Sequence, residues 1–439
     1  SVKEVLVGDG DFTFSRGSNL AATRVDADGL IEKGRENLLL QSNQFDTTWL
    51  TSKSSVTSGQ SGYDGSSDAW KLTANTENSP HYVREVVSTS GVTTASVYAK
   101  PDGYNFLFIF RQGLNKGYYY NLATGELASP YSGGDIDATI TSAGNGWYRC
   151  TFTFNYSGSG DLTLFIANAD GSFSFVGDGT TGILIQDAQL EVGLTSTEYI
   201  ETTTTTGTAG ILENTPRFNY SNGASCPSLL LEPSRTQFIG QSEYFGGWTE
   251  YQSSVNLTNQ ISPDGEKNVY EIIENTTNNP HIIRYSHSFV ANISYTISAF
   301  LKANTRNKSL LALGGATLGV PSIEYRSGLF NLSNGTIERG PTNGNATIED
   351  YGNGWYRCSV TITPLGSAIA NVDIFIAKDN GDFAYQGDGT SGIYIYGAML
   401  ESNASYPTSY IPNHSGGTIT RAADVCGGAG DANTFNSTE

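Results

Sequence analysis

Apolar and polar positions alternate in short runs along the 439-residue chain, and the runs come in two matching sets. A period of two sends one face of a strand into a core and the other toward solvent. The alternation predicts strands over 93–100, 147–155, 161–168 and 182–190, and again over 296–302, 355–363, 371–378 and 392–400. Two of them follow Gly144-Asn145-Gly146 and Gly352-Asn353-Gly354, tripeptides that reach positive φ at low cost and so predict a tight turn. Phe152 with Phe154, and Val360 with Ile362, offer one apolar face for a core; Leu184 and Tyr394 are read as offering the opposite one. Short strands in this number predict two packed antiparallel sheets in each set.

The sets are copies. Asn75–Arg84 returns at 275–284 with Asn-Thr, Asn, Pro-His and Arg kept, and Gly144-Asn-Gly-Trp-Tyr-Arg-Cys150 returns as 352–358. Gly177-Asp-Gly-Thr-Thr-Gly182 returns as 387–392 with Ser for the second Thr. A spacing of about 200 residues is far too long for a solenoid repeat and long enough for a domain with its own core. The expected fold is therefore all-β: two tandem antiparallel β-sandwich (jelly-roll) modules with extended connecting segments. The expected boundaries are a lead-in segment 1–35, module one 36–203, a connecting segment 204–235, module two 236–413 and a tail 414–439. The threonine run 202–206 reads as a stiff polar linker, being β-branched. Thr420-Arg421 echoes Thr23-Arg24 and suggests that a further unit starts in the tail.

Composition narrows the class. Glycine is abundant (51) against 13 prolines and one methionine, and long Ala/Leu/Glu/Lys helical patterns are missing, which fits an all-β chain rich in turns. Acidic side chains outnumber basic ones 43 to 24, for a net charge of −19, and such a surface repels nucleic-acid phosphates. No apolar run is long enough for a transmembrane helix, so no membrane insertion is expected. No leader reads at the N-terminus, although a chain starting at Ser1 reads as processed or as part of something longer. Cys150, Cys226, Cys358 and Cys426 lack the close spacing of a zinc site and read as small buried thiols.

Further motifs repeat in one order. Asn37-Leu-Leu-Leu-Gln41-Ser42 with Phe45 to Trp49 is matched by Gln241-Ser242 with Phe245 to Trp248. Ser96-Val-Tyr-Ala-Lys100, the Gly-Asn-Gly-Trp-Tyr-Arg-Cys and Gly-Asp-Gly turns, Ala188-Gln-Leu-Glu191 and Tyr199-Ile follow; the second copy closes with Ala398-Met-Leu-Glu401 and Thr408-Ser-Tyr-Ile-Pro412. In this order the chain resembles carbohydrate-binding-type jelly-roll modules of bacteriophage virion proteins, over about four-fifths of its length. The resemblance implies a sandwich fold and a place on the virion surface, as a tail fibre, capsid fibre or other appendage. It implies other virion proteins as partners and assembly as a homo-oligomer, and it names no particular sugar.

Enzyme motifs are thin: there are four histidines and no nucleophile elbow, His-Glu-x-x-His pair or phosphate-cradling loop. Carboxylate pairs such as Asp135/Asp137 decide nothing by spacing alone. No catalytic residue is assigned, and the chain is read as non-enzymatic. His81 and His281 read as imidazoles hydrogen-bonded inside each sandwich, with Arg84 and Arg284 on the outer face reaching a carboxylate or solvent. Trp147 and Trp355 read as core or turn-capping residues.

Sugars are gripped by stacking a pyranose face on an aromatic ring while polar groups satisfy the hydroxyls. The glycan-binding candidates are Trp49, Trp70, Tyr82, Tyr118 and Tyr120 in module one, and Trp248, Tyr270 and Tyr325 in module two. Alternation places Tyr118 and Tyr120 on one face and Tyr119 on the other. Related jelly rolls often hold a structural calcium, for which Asp178, Glu191, Asp388 and Glu401 are the oxygen-ligand candidates; Asp187, however, becomes Gly397 in the second copy. No other cofactor is expected. Three functions fit: host-surface glycan adhesion by a virion appendage, a purely architectural virion protein whose jelly rolls are spacers or docking surfaces, and the binding arm of a secreted polysaccharide-degrading enzyme. An exposed row of aromatics on a sheet favours adhesion; aromatics covered by partner chains favour architecture.

Overall fold

A computed structural model describes residues 13–427 apart from 19 and 321. The chain forms two compact units. One holds the first module, Arg35–Ala209 with His414–Gly416; the other takes the described residues up to Gly34, Gly210–Asn413 and those from Gly417 on.

The first module is a sandwich of a 7-stranded and a 6-stranded antiparallel sheet. The larger is built around Asn78–Thr89, Gly158–Ala167, Phe106–Arg111 and Lys116–Asn121, in that lateral order. The smaller centres on Val92–Asp102, flanked by Trp147–Asn155 and Gly182–Val192. Val83, Ile109, Leu164 and Ile166 of the larger sheet meet Phe152, Phe154, Ile183 and Ile185 of the smaller in one buried core. The second module repeats this strand order without exception, with Asn278–Phe289, Ala368–Ala377, Lys308–Leu313 and Ser327–Asn331 in its larger sheet. Tyr295–Ala303, Trp355–Ile362 and Gly392–Ser402 form the centre of its smaller one.

The two tight turns are left-handed as expected, with φ of 87°, 51° and 80° at Gly144, Asn145 and Gly146 and 76°, 52° and 80° at Gly352, Asn353 and Gly354. Trp147 and Trp355, which follow these turns, are each 1% exposed. One expectation for the core is corrected. Leu184 and Tyr394 lie in the same sheet as Phe152 and Val360 rather than opposite them, and they point away from the core; Ile183, Ile185, Ile393 and Ile395 are the buried neighbours. An unbroken apolar run such as Ile183-Leu184-Ile185 hides its own phase.

His81 and His281 are buried where expected. The His81 ring nitrogens face the Lys53 and Phe175 carbonyls at 2.5 and 3.0 Å, and those of His281 face the Gln252 and Tyr385 carbonyls at 2.6 and 3.2 Å. A polar side chain near each amino-terminal edge also recurs. Asn37 accepts from the Leu39 and Leu190 amides and donates to the Ile200 carbonyl (2.9 Å); Gln237 does the same work with Ile239, Leu400 and Ala398.

The pieces outside the sandwiches are ordered into the units. The threonine run packs on the first module, where the Ser42 amide donates to the Thr202 hydroxyl and the Thr206 hydroxyl to Glu36. In the other unit, three remote segments converge on a buried ion cluster. Arg217 and Arg421 share Glu232 (2.8 and 3.0 Å), while Asp424 pairs with both Arg16 (3.4 Å) and Arg217. Burial works to raise the Glu232 carboxyl, but the two guanidinium charges override it and hold it below its usual value. The tail continues this unit: Ile419–Arg421 pairs with Arg235–Gln237, and Val425–Gly427 pairs antiparallel with Thr13–Ser15. The rest of the tail lies outside the described residues. Of the four thiols, Cys150 and Cys358 are buried as expected, but Cys226 is exposed and Cys426 half-exposed, which corrects the sequence reading for those two.

Candidate functional site

Two features of the first module face outward, and both are altered in the second. The first is an aromatic platform on the outer face of the larger sheet. Tyr119, Phe108, Phe165 and Tyr82 are in register across four adjacent strands and form one row. Phe108 stacks on Tyr119 (4.3 Å between ring centroids) and Phe165 (5.3 Å), and Tyr82 leans on Phe165 at 4.8 Å. Cross-strand aromatic pairs of this kind stabilise a sheet while leaving ring faces available. Phe108, Tyr119 and Phe165 are buried by their neighbours, so the accessible rings are the half-buried Tyr82, Phe106, Phe110, Tyr131 and Phe173. Gly117 sits beside Phe108, where a Cβ would come within 2.7 Å of that ring. Burial, with smaller contributions from Tyr131 and Asp170, pushes the Tyr119 hydroxyl up to about 12. The polar rim includes Asp170, which accepts from the Ser129 amide and hydroxyl (3.1 and 2.7 Å), and the Arg84–Asp161 ion pair. That pair, with Arg284–Asp373 at 3.1 Å, meets the expectation for both arginines.

The same row in the second module reads Leu329, Leu310, Phe375 and Ile282. It is aliphatic but for one ring, and Ile323 of the short helix Ile323–Arg326 packs against it.

The second feature is a cleft of about 480 Å³ at the smaller sheet of the first module, bordered by Tyr63, Tyr98, Arg149, Tyr199 and several carboxylates. Tyr63 and Tyr98 stack face to face at 3.6 Å, and the Arg149 guanidinium lies 5.4 Å from the Tyr98 ring centroid. A break in strand register between Gln186 and Gln189 puts Asp187 in the left-handed region (φ 52°), so the bulge aims its carboxylate at the cleft instead of into the ladder. The Tyr63 hydroxyl donates to Asp187 (2.9 Å). Burial, opposed by that hydrogen bond and reinforced by the charges of Asp68, Asp64 and Glu201, pushes the Asp187 carboxyl up to about 7.

The residues proposed from sequence fare unevenly. Trp49 and Trp70 are core residues packed around Phe45, and their indole N–H groups donate to the Gln41 and Asn43 carbonyls (3.3 and 2.9 Å). Trp248 and Tyr270 surround Phe245 in the same way. Tyr118 and Tyr120 point inward: Tyr118 lies on Phe152, and the buried Tyr120 hydroxyl donates to the Thr151 carbonyl (2.5 Å). Burial removes Trp49, Trp70, Trp248, Tyr270 and Tyr120 from any ligand-facing surface, and Tyr118 is half-buried against the core, because in a two-layer sandwich the large rings fill the space between the sheets. Tyr82 stands on the platform, and Tyr325 is 40% exposed on the short helix.

Asp178 and Asp388 close their own turns, accepting from the Thr180 and Thr181 amides (2.7 Å each) and from those of Thr390 and Ser391 (2.8 and 2.7 Å). Glu191 and Glu401 accept from the amide and hydroxyl of Thr197 and of Thr408 respectively. Among the described residues no group of three or more His, Cys, Asp or Glu is arranged to hold a metal ion.

The sequence reading missed Phe106, Phe108, Phe110 and Phe173, because Trp and Tyr were weighed above Phe. It also missed Tyr63 and Tyr98. For most of them the signal is divergence between the copies, as in Tyr63 against Pro263, Phe108 against Leu310 and Asp187 against Gly397; Phe173 is kept as Phe383 and gives no such signal.

No protein-family model matches the sequence, and no curated protein matches it. Among solved structures, the N-terminal CBM22-1-CBM22-2 tandem domain of Paenibacillus barcinonensis Xyn10C is similar at 13% identity, covering 93% of this chain and 98% of that one with a TM-score of 0.28. An anti-sigma factor domain-containing protein is similar at 8% identity, covering 87% and 97%, with a TM-score of 0.15. At these scores the architecture rests on the chain's own strands and register.

Proposed function

We propose that the chain is a non-enzymatic glycan-binding protein of a virion surface appendage, and that the aromatic platform of the first module is its sugar-binding face. The carrying observation is the cross-strand row Tyr119–Phe108–Phe165–Tyr82 with half-buried rings around it. A pyranose presents C–H groups on one face and hydroxyls at its edge. The ring faces suit the first, and Asp170, Ser129 and Arg84 at the rim suit the second. The virion setting is supported by the order of motifs along the sequence. Because the second module lacks the aromatic row, the multivalency of adhesion comes from copies of the chain in an oligomer more than from two sites per chain.

The acidic cleft carries one mark of a glycosidase, a raised carboxyl among other carboxylates. Yet Asp187 accepts the Tyr63 hydroxyl, and Asp64 and Asp68 accept from the Gln186 amide (3.3 and 2.8 Å), which favours holding over bond-breaking.

The test is a glycan array followed by titration of the best ligand into the full chain. The double variant F110A/Y131A is expected to weaken binding about tenfold or more, with the thermal melt little changed because both rings are half-exposed. Undiminished binding by that variant overturns the assignment of the face. A chain that binds no glycan, but whose platform becomes protected when it assembles with other virion proteins, is the architectural protein instead.

A further inference from the structure

The two copies treat the cleft position differently, and the second shows what fits there. Asn43, Asp64, Tyr98, Arg149, Gln186 and Tyr199 correspond to Glu243, Asp264, Phe300, Arg357, Tyr396 and Tyr410. The correspondence holds in the bonding as well as the sequence. The Ser42 hydroxyl pairs with the Tyr199 hydroxyl at 2.6 Å, and the Ser242 hydroxyl with the Tyr410 hydroxyl at 2.7 Å. In the second copy the space is filled from within its own unit by Lys33, at the end of the strand Ile31–Lys33. Its ammonium lies 2.6 Å from Asp264 and 3.1 Å from Glu243, within 3.4 Å of the Tyr396 hydroxyl. Burial works to raise the Asp264 carboxyl, and the Lys33 charge overrides it and holds it below its usual value.

In the first module these positions, apart from the buried Gln186, border an open cleft. Its carboxylates are Asp64, Asp68, Asp187, Glu198 and Glu201, and its one guanidinium, Arg149, is already engaged by the Thr197 carbonyl (2.5 Å) and the Ser96 hydroxyl (3.1 Å). Burial is the main cause of the raised Asp187 carboxyl, and the neighbouring charges of Asp68, Asp64 and Glu201 push it the same way. Tyr63 faces Asp187 with a hydroxyl that burial and the Asp187 charge hold in its neutral, donating form. A stacked tyrosine pair beside the carboxylates suits an alkyl stem that ends in a cation.

We infer that the first-module cleft is a receptor site for an alkylammonium group, the lysine side chain of another polypeptide, seated as Lys33 is seated in the second module. The site is separate from the aromatic platform, so its failure would leave the glycan reading standing, and the reverse.

The experiment is a titration of the full chain with Nα-acetyl-lysine methylamide, followed by NMR or calorimetry, with the norleucine methylamide as uncharged isostere and glucosamine as a third arm. The lysine probe is expected to bind with a Kd of about 10 mM or tighter. Its affinity should fall with added salt and rise between pH 6 and 8 as Asp187 ionises. The variant D64N/D187N should lose about tenfold, while a thermal melt no lower than that of the parent shows the module intact. Equal binding of the lysine and norleucine probes, no binding of lysine at that concentration, or binding unchanged in D64N/D187N would each overturn the inference. Glucosamine binding more tightly than the lysine probe would overturn it too, in favour of an amino sugar.

Discussion

The two modules share a strand order and a pair of buried histidines, yet they differ at two outward-facing sites, the outer face of the larger sheet and the cleft of the smaller one. The second module is closed at both: its outer sheet face is largely aliphatic, with Phe375 and Phe383 as its rings, and carries a short helix, and its cleft is stoppered by Lys33. The first leaves aromatic rings and carboxylates facing out. The difference separates residues that make the sandwich from residues that use it. Phe45 and Phe245 stay because a gap in the core costs stability wherever it is opened. Phe108 and Leu310, or Asp187 and Gly397, drift apart because the fold accepts either.

The strongest way to break the comparison is at the shared core. F45A and F245A should each destabilise by about 3–5 kcal/mol, the loss usual for a buried phenylalanine, with matching size in urea denaturation of the full chain. A clear inequality would mean that the two cores are not equivalent. Removal of the stopper should come next. K33M leaves Asp264 and Glu243 buried without their cation and should cost about 3 kcal/mol or more, whereas D187N in the open cleft should be neutral or stabilising. Opposite signs at corresponding clefts, read by the same denaturation, sharpen the contrast; equal signs would erase it.

A smaller effect follows from pH. Burial, partly offset by a hydrogen bond from the Leu40 amide, pushes the Glu85 carboxyl up to about 7, as burial does Asp187. A carboxyl raised in the fold holds its proton longer there than in the unfolded chain. Its contribution is therefore complete below the ordinary carboxylate range and is lost as pH rises toward about 7. The counterpart of Glu85 is Tyr285, whose hydroxyl accepts from the Gly240 amide (3.1 Å) without a charge to bury. E85Q and D187N should flatten the stability loss between pH 5 and 8, measured by urea midpoint, while E232Q in the arginine cluster should not. The mildest test is chemical. Cys226 should react with a thiol reagent in the native state, whereas Cys150 and Cys358, whose thiols burial pushes up, should react only on unfolding and at similar rates.

Much of the sandwich was legible in the sequence because alternation and glycine turns are local signals. Trp147–Asn155 was placed to the residue, and the alternation that put Tyr118 and Tyr120 on one face with Tyr119 on the other was right. Which face was the core was not legible, since a strand of three tyrosines is apolar on both sides. Three of the ligand candidates proved to be core residues for the same reason: Trp49, Trp70 and Trp248 are large enough to stack a sugar and equally suited to fill a sandwich. Nor could local pattern show that Arg16, Arg217 and Arg421 meet, because their partners are separated by long stretches of chain. Lys33 escaped notice likewise, since its role is set by residues beyond residue 240.

The pairing of Thr13–Ser15 with Val425–Gly427 bears on how the molecule would carry tension. Thr13 faces Gly427, so the start of one strand and the end of the other share one end of the ladder. A pull on both would part this short clasp one rung at a time, like a zip, with the arginine cluster behind it as the next point of resistance. The first extension under force should therefore be small and easily recovered.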